Sequence, residues 1–149
     1  RPGGITPEMI EEEAGIVKIS PAVLGGLKKG ENAASPGMKY KHYAPKAKVL
    51  VARGNDINTI AKKIISRYDI DVRAKKRVAI ICPESYERLY GTRKVFALDS
   101  QNPGKGLFST LRHADEENIE TIYFHAVRED GLGLAVMNRI IRAAEFRTF

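Results

Sequence analysis

Between Ser35 and Pro45 the chain reads Ser-Pro-Gly-Met-Lys-Tyr-Lys-His-Tyr-Ala-Pro, which sets Tyr40, Tyr43, His42, Lys39 and Lys41 between two prolines. Tyrosine rings can stack on a base, their hydroxyls can donate to phosphate, and lysines supply positive charge. Proline and the residue before it disfavour helix, so such a strap runs extended or in turns. It can therefore lay these groups across a neighbouring pocket; the plainer alternative is a basic tether. Other chemistry-bearing residues are dispersed. Gly131-Leu132-Gly133 precedes an apolar helical pattern, but the third glycine position of a dinucleotide loop holds Val136, and Arg128-Glu129-Asp130 separates the loop from the strand before it. The simpler expectation is a turn whose glycines let the last helix pack closely. His42, His113 and His125 stand singly without metal-ligand spacing, so structural histidines are expected and no metal site is read. Asp115-Glu116-Glu117 reads as a solvated acidic stretch.

The elements that must carry these residues change character near Pro45. Of 20 glycines and prolines, 12 lie in the first 45 positions, so turns and breaks concentrate there. Thr6-Pro7-Glu8 predicts a capped helix that Gly15 ends, and Ile16 to Ile19 predicts a strand. From Ser20 to Ala44 neither a period of 2 nor one of 3.6 persists. After Pro45 the pattern is regular. Strands are expected over 47–52, 77–82, 94–98 and 121–124. Helices are expected after Asn55-Asp56, from Pro83 through Tyr90, over 105–117 and over 133–146. Strands alternating with helices, and continuous apolar runs within the strands, predict an α/β fold: a Rossmann-like three-layer domain with a mainly parallel sheet, preceded by an irregular linker. Right-handed crossovers follow.

The 149 residues carry a formal charge of +7 and are 43% apolar, which excludes an acidic or low-hydrophobicity disordered chain. The apolar runs are strand-sized, so no membrane span is expected. The lone Cys82 sits in such a run and reads as a buried, reduced thiol, consistent with a cytoplasmic protein. Basic clusters at Arg73, Lys75, Lys76 and Arg77, and at Lys39, Lys41, Lys46 and Lys48, suit a phosphate-bearing partner or a solvated surface. Beginning at Arg1, the chain reads as a piece of something longer.

Several of these stretches together resemble a known family. Ser35-Pro36-Gly37-Met38 followed by Tyr40, His42-Tyr43 and Pro45 is similar to the interdomain linker of two-domain threonylcarbamoyl-AMP synthases. Gly131-Leu132-Gly133-Leu134-Ala135 with Asn138-Arg139 and Ala143-Ala144 resembles the end of their C-terminal domain, and Leu107-Phe108, Leu111-Arg112 and Asp115 fit it too. Arg1-Pro2-Gly3 resembles the last segment of their YrdC-like catalytic domain.

The resemblance implies three regions: 1–19 as the tail of the catalytic domain, 20–45 as the linker and 46–149 as an accessory domain. It implies an L-threonylcarbamoyladenylate synthase, a nucleotidyltransferase using threonine, bicarbonate and ATP for a tRNA modification. The catalytic residues, with their Lys-x-Arg and Ser-x-Asn motifs, are then expected upstream of Arg1 or in another chain. ATP enters as a substrate. The partners implied are the upstream domain and, after it, tRNA-modification machinery. Arg1 and Tyr40 are the implied nucleotide contacts, with Tyr43 competing for the second. Ser35, Pro36, Gly37, Lys39, Lys41, His42, Tyr43 and Pro45 are the implied pocket-covering segment. The alternative is a free-standing nucleotide- or RNA-binding module using the sheet's carboxyl edge near Arg53-Gly54-Asn55 or Cys82-Pro83.

Overall fold

A computed structural model describes residues 3–25 and 45–149. Helix α1 (Pro7–Ala14) starts where Thr6 accepts a hydrogen bond from the Met9 amide, and stops at Gly15, whose φ of +81° suits glycine. A short helix, α2 (Ala22–Gly25), follows. The expected strand over Ile16 to Ile19 does not form. No described strand pairs with it and Ile16 is 92% exposed, so β-branched composition has no ladder or packed face to act on.

The regular part runs β1 (Lys48–Ala52), α3 (Ile57–Arg73), β2 (Val78–Pro83), a 3-10 helix (Glu84–Tyr90), β3 (Val95–Leu98), α4 (Leu107–Glu116), β4 (Thr121–His125) and α5 (Gly131–Ala143). The four strands form one parallel sheet in the order β1-β4-β2-β3. β4 lies between β1 and β2, with Val49 opposite Ile122 and Ala79 opposite the same residue. The last residues add a rudimentary edge beside β1, where the Val51 amide donates to the Arg147 carbonyl and the Phe149 amide to Val51.

Alternation along the strands divides the core into two layers. Val49, Val51, Ala79, Ile81, Ile122 and Phe124 face α4 and α5, meeting Leu107, Leu111, Met137 and Ile140. Ala52, Val78, Ile80, Cys82 and Tyr123 face α3 and the 3-10 helix, meeting Ile60, Ile64, Tyr68 and Tyr90. Helices on both faces explain why the strands read as unbroken apolar runs. The expected three-layer parallel architecture is the observed one. The last helix ends at Ala143, short of Phe146, because Glu145 and Phe146 adopt left-handed backbone with φ of 52° and 61° and turn the chain toward β1.

Candidate functional site

Arg1, Ser35, Pro36, Gly37, Lys39, Tyr40, Lys41, His42 and Tyr43 lie outside the described residues. Pro45 is described and half-buried. The structure does show how the described residues before and after positions 26–44 are held, on the helices α5 and α4.

At the downstream end, one carboxylate oxygen of Asp115 accepts the amide of Lys46 at 2.8 Å and that of Ala47 at 3.5 Å. The Lys48 amide then donates to the Glu120 carbonyl at 2.9 Å as β1 enters the sheet. Asp115 is therefore more than part of a solvated acidic stretch: α4 carries it to a backbone partner 69 positions away. At the upstream end, α2 rests on α5. Asn138 donates from Nδ2 to the Val23 carbonyl, and Arg142 donates from Nη2 to the Ala22 carbonyl at 3.3 Å. Asn138 is 2% exposed in the middle of an apolar helix face. Burying an amide there is costly without a partner, and a distant backbone carbonyl supplies one. Sequence reasoning passed over the linking role of both residues; a polar residue interrupting an apolar helical stripe was the available signal for Asn138.

The carboxyl edge of the sheet, the natural ligand position in this fold class, holds few converging groups. The two helices that follow β1 and β4 have N-termini already occupied by carboxylates. Asp56 caps α3, accepting the Thr59 hydroxyl at 2.5 Å and the Thr59 amide at 2.8 Å, and these bonds hold its carboxyl below the usual range. Glu8, from α1, accepts the Gly131 amide at 3.1 Å at the start of α5. Its carboxyl is likewise lowered, first by its own backbone hydrogen bond and then by bonds to Thr6 and Gly131. A phosphate would have to displace negative charge at either end. Gly133 has a packing role, since a Cβ there would stand 2.1 Å from the Arg128 carbonyl oxygen. Arg53 pairs with Glu129 at 2.7 Å. A groove of about 400 Å³ beside Arg53 is lined by Leu24, Gly25, Ile141, Phe146 and Thr148.

Deeper at the same edge lies His125, fully buried at the end of β4. Its Nδ1 is 2.5 Å from the Tyr90 hydroxyl, and the Tyr86 ring lies 4.8 Å from its ring centre. Among the described residues its Nε2 has no hydrogen-bonding partner. Burial holds the imidazole down to about pKa 4 and raises the Tyr90 hydroxyl. Burial also pushes the Cys82 thiol up to about 12, so it stays protonated and inert.

Lys-x-Arg and Ser-x-Asn, expected to have no counterpart in this chain, do occur here as strings, at Lys75-Lys76-Arg77 and Ser100-Gln101-Asn102. The first precedes β2 on the amino edge and the second follows β3 on the carboxyl edge. A strand length, about 15 Å, separates those edges, so the two tripeptides do not converge on one pocket. Among the described residues no group of three or more His, Cys, Asp or Glu could hold a metal ion.

The threonylcarbamoyl-AMP synthase C-terminal domain model matches residues 5–145. The chain belongs to this family. It is 38% identical to the threonylcarbamoyl-AMP synthase of Pyrococcus abyssi over 99% of the chain and 42% of that relative. It is 32% identical to the synthase of Bacillus subtilis over 97% of the chain and 40% of that relative. The crystal structure of P. abyssi Sua5 complexed with L-threonine matches with a TM-score of 0.83 and 38% identity, covering 100% of this chain and 42% of that one. A variant of the same protein, with a His and the Tyr beside it both replaced by Ala, matches with a TM-score of 0.83 and 37% identity over the same shares. The C-terminal Sua5 domain of a Pyrococcus horikoshii hypothetical Sua5 protein matches at 34% identity and a TM-score of 0.53, over 65% of this chain and 92% of that one. The chain thus spans about two-fifths of the length of the curated relatives it matches.

Proposed function

We propose that this chain is the C-terminal part of an L-threonylcarbamoyladenylate synthase, a cytoplasmic nucleotidyltransferase that joins threonine, bicarbonate and the AMP moiety of ATP and releases pyrophosphate. Family membership over residues 5–145 carries the reading. The chemistry belongs to an upstream catalytic domain, and its product feeds tRNA modification.

In this reading residues 1–19 complete the catalytic domain, 20–45 link and 46–149 form the accessory domain. One observation supports each boundary. Helix α1 buries none of its residues, and Ile5, Met9, Ile10, Ile16 and Ile19 are all exposed, as expected of a segment whose core lies elsewhere. The solved P. horikoshii C-terminal domain, matching 65% of this chain, supports a separate unit after the linker.

Arg1 and Tyr40 contact the nucleotide, and the segment from Ser35 to Pro45 covers the pocket. Adenylation gathers charge on the α-phosphate and yields a labile mixed anhydride, so donors and a cover that excludes water both help. Gly37 is the hinge, with Pro36 and Pro45 restricting the chain at either side. Tyr43, in this chain's sole His-Tyr dipeptide, is the competing choice for the contact given to Tyr40. The deciding experiment measures pyrophosphate release dependent on threonine and bicarbonate. The full-length protein should show it and this chain alone should not; release by this chain alone would place the catalytic centre here and refute the division.

The free-standing module is the second reading. The carboxylates of Asp56 and Glu8 at the two helix N-termini that flank β1 and β4 argue against it.

A further inference from the structure

Residues 57–77, α3 and the loop that follows it, hold seven Lys and Arg against two Asp, so this stretch supplies five of the chain's seven net positive charges. We propose that its outer surface, with Lys48 beside it, is a docking face for the phosphate backbone of a folded RNA. The surface itself is defined by charge and geometry; the choice of RNA as its occupant rests on the synthase reading and deepens it.

Helix geometry and strand alternation gather the cations. Ile60, Ile64 and Tyr68 bury one side of α3, which leaves Lys62 and Arg73 on the opposite stripe, about 16 Å apart along the axis. Lys75 continues the line past the helix end, and Lys63 flanks it. Leu50 and Ala52 face α3 from β1, so alternation puts Lys48 on this side too, at the amino edge of the sheet.

The two acids of the stretch are already taken. Asp69 pairs with Arg93 at 2.7 Å, and Asp71 accepts both Lys76 and the Tyr123 hydroxyl at 2.8 Å. Two cations are engaged as well, Arg67 over the Phe149 ring at 4.6 Å and Lys63 on the Arg53 carbonyl at 2.8 Å. The side chains of Lys48, Lys62, Arg73 and Lys75 are exposed and, among the described residues, form no salt bridge or hydrogen bond. A solvated helix face ordinarily mixes signs, with Glu placed one turn before Lys. This one has no Glu, so like charges stand together at a cost in self-repulsion. The helix dipole favours Arg73 and Lys75 at the C-terminal end but not Lys62 and Lys63 in the second turn, so it does not account for the set. Lys75 moreover keeps its side chain on left-handed backbone, φ 59°, where glycine is the usual residue after a helix.

A track of single cations fits a partner whose negative charge repeats along a chain. Ile57, Ile70 and Val72 are exposed on α3 too, but they point to three different sides of the helix and make no contiguous apolar patch for a bilayer or an apolar protein interface. In the synthase reading the product is a labile mixed anhydride consumed in tRNA modification. An RNA held on the same molecule raises its effective concentration near the site of synthesis and shortens the path on which the product can hydrolyse.

The test titrates the full-length protein with an unmodified tRNA transcript by fluorescence anisotropy, from about 50 to about 200 mM salt. With four cations engaged, log K should fall against log salt with a slope of about −3. Lys62→Glu with Arg73→Glu should weaken binding by about tenfold or more and reduce that slope by about 2, with pyrophosphate release and thermal midpoint close to wild type. Lys75→Gly relieves the left-handed backbone, so it should raise the thermal midpoint while weakening the transcript, a pair of signs that lost folding would not give. Lys105→Glu with Arg112→Glu removes the same charge from the α4 side of the sheet and should change affinity less than about twofold, since separated exposed charges are screened. Equal losses from both charge-reversed pairs would overturn the proposal, because net charge alone would then be responsible. Tighter binding of phosphatidylserine vesicles or polyglutamate than of the transcript would overturn it in favour of a membrane or an acidic protein. A transcript that does not bind wild type overturns it outright. Absence of pyrophosphate release from the wild-type protein would refute the synthase reading, and with it the choice of RNA, in an assay separate from the titration.

Discussion

Acidification from pH 7 to pH 4.5 should destabilise this domain through one residue. His125 is fully buried, and burial alone holds its imidazole down from 6.5 to about 4. In the unfolded chain the ring protonates as pH falls through 6.5, whereas in the folded chain it stays neutral until about 4. The unfolded state thus binds more protons in this window, so the stability that His125 confers is complete above pH 6.5 and is lost between 6.5 and 4. Integrating from pH 7 to 4.5 gives about 2 kcal/mol from this single group, a large share of a marginal domain's stability. The lowered carboxyls of Asp56, Asp69, Asp71 and Glu117 act in the same direction but mostly below this window, since their stabilisation is lost only as pH falls from the ordinary carboxylate range through their folded values. Urea unfolding at both pH values, compared between wild type and His125→Phe, isolates the term. The variant leaves the Tyr90 hydroxyl unpaired at a cost of about 1 to 3 kcal/mol, and that cost is the same at both pH values and cancels in the comparison. Wild type should lose about 2 kcal/mol more than the variant on acidification. Equal losses, or an imidazole that titrates near 6.5 by NMR, would refute the reasoning.

Gly133→Ala should destabilise the domain by about 3 kcal/mol in urea unfolding, the upper end of what overpacking usually costs, because the new methyl would meet the Arg128 carbonyl and the start of α5 must shift. In the full-length protein Tyr40→Phe should weaken ATP binding by about 10-fold to 100-fold in calorimetry, the loss of one hydrogen bond to a charged phosphate. If Tyr43→Phe alone is damaging, the contact belongs to Tyr43. Neither substitution should alter the melting of this chain by itself. Asp69→Ala should leave the thermal midpoint of the domain little changed, since its 2.7 Å pair with Arg93 is partly exposed and solvent screens it.

Much of the fold was legible in the chain because local rules and tertiary needs agree in it. Thr6-Pro7 and Asp56 mark helix starts through side-chain acceptors that act within three residues. The apolar runs at 78–82 and 121–124 announce strands covered on both faces, since only burial from both sides tolerates them. The Ile16 to Ile19 stretch shows the limit. Its composition suits a strand, but a strand exists only with a neighbour to pair with, and none is described for it. The family was legible too, in the linker and tail motifs. What only the tertiary structure decided is partnership across distance. Nothing local to Asp115 says that its carboxylate meets amides 69 positions earlier, or that Glu8 closes the start of α5 from 123 positions away. Nor does the sequence around His125 reveal that its ring is sealed beneath Tyr86 against Tyr90. The strand order β1-β4-β2-β3 is of the same kind. Residue type and spacing encode what a segment of a few residues prefers. Which segments meet is set by how whole layers share one core, and that depends on all of them at once.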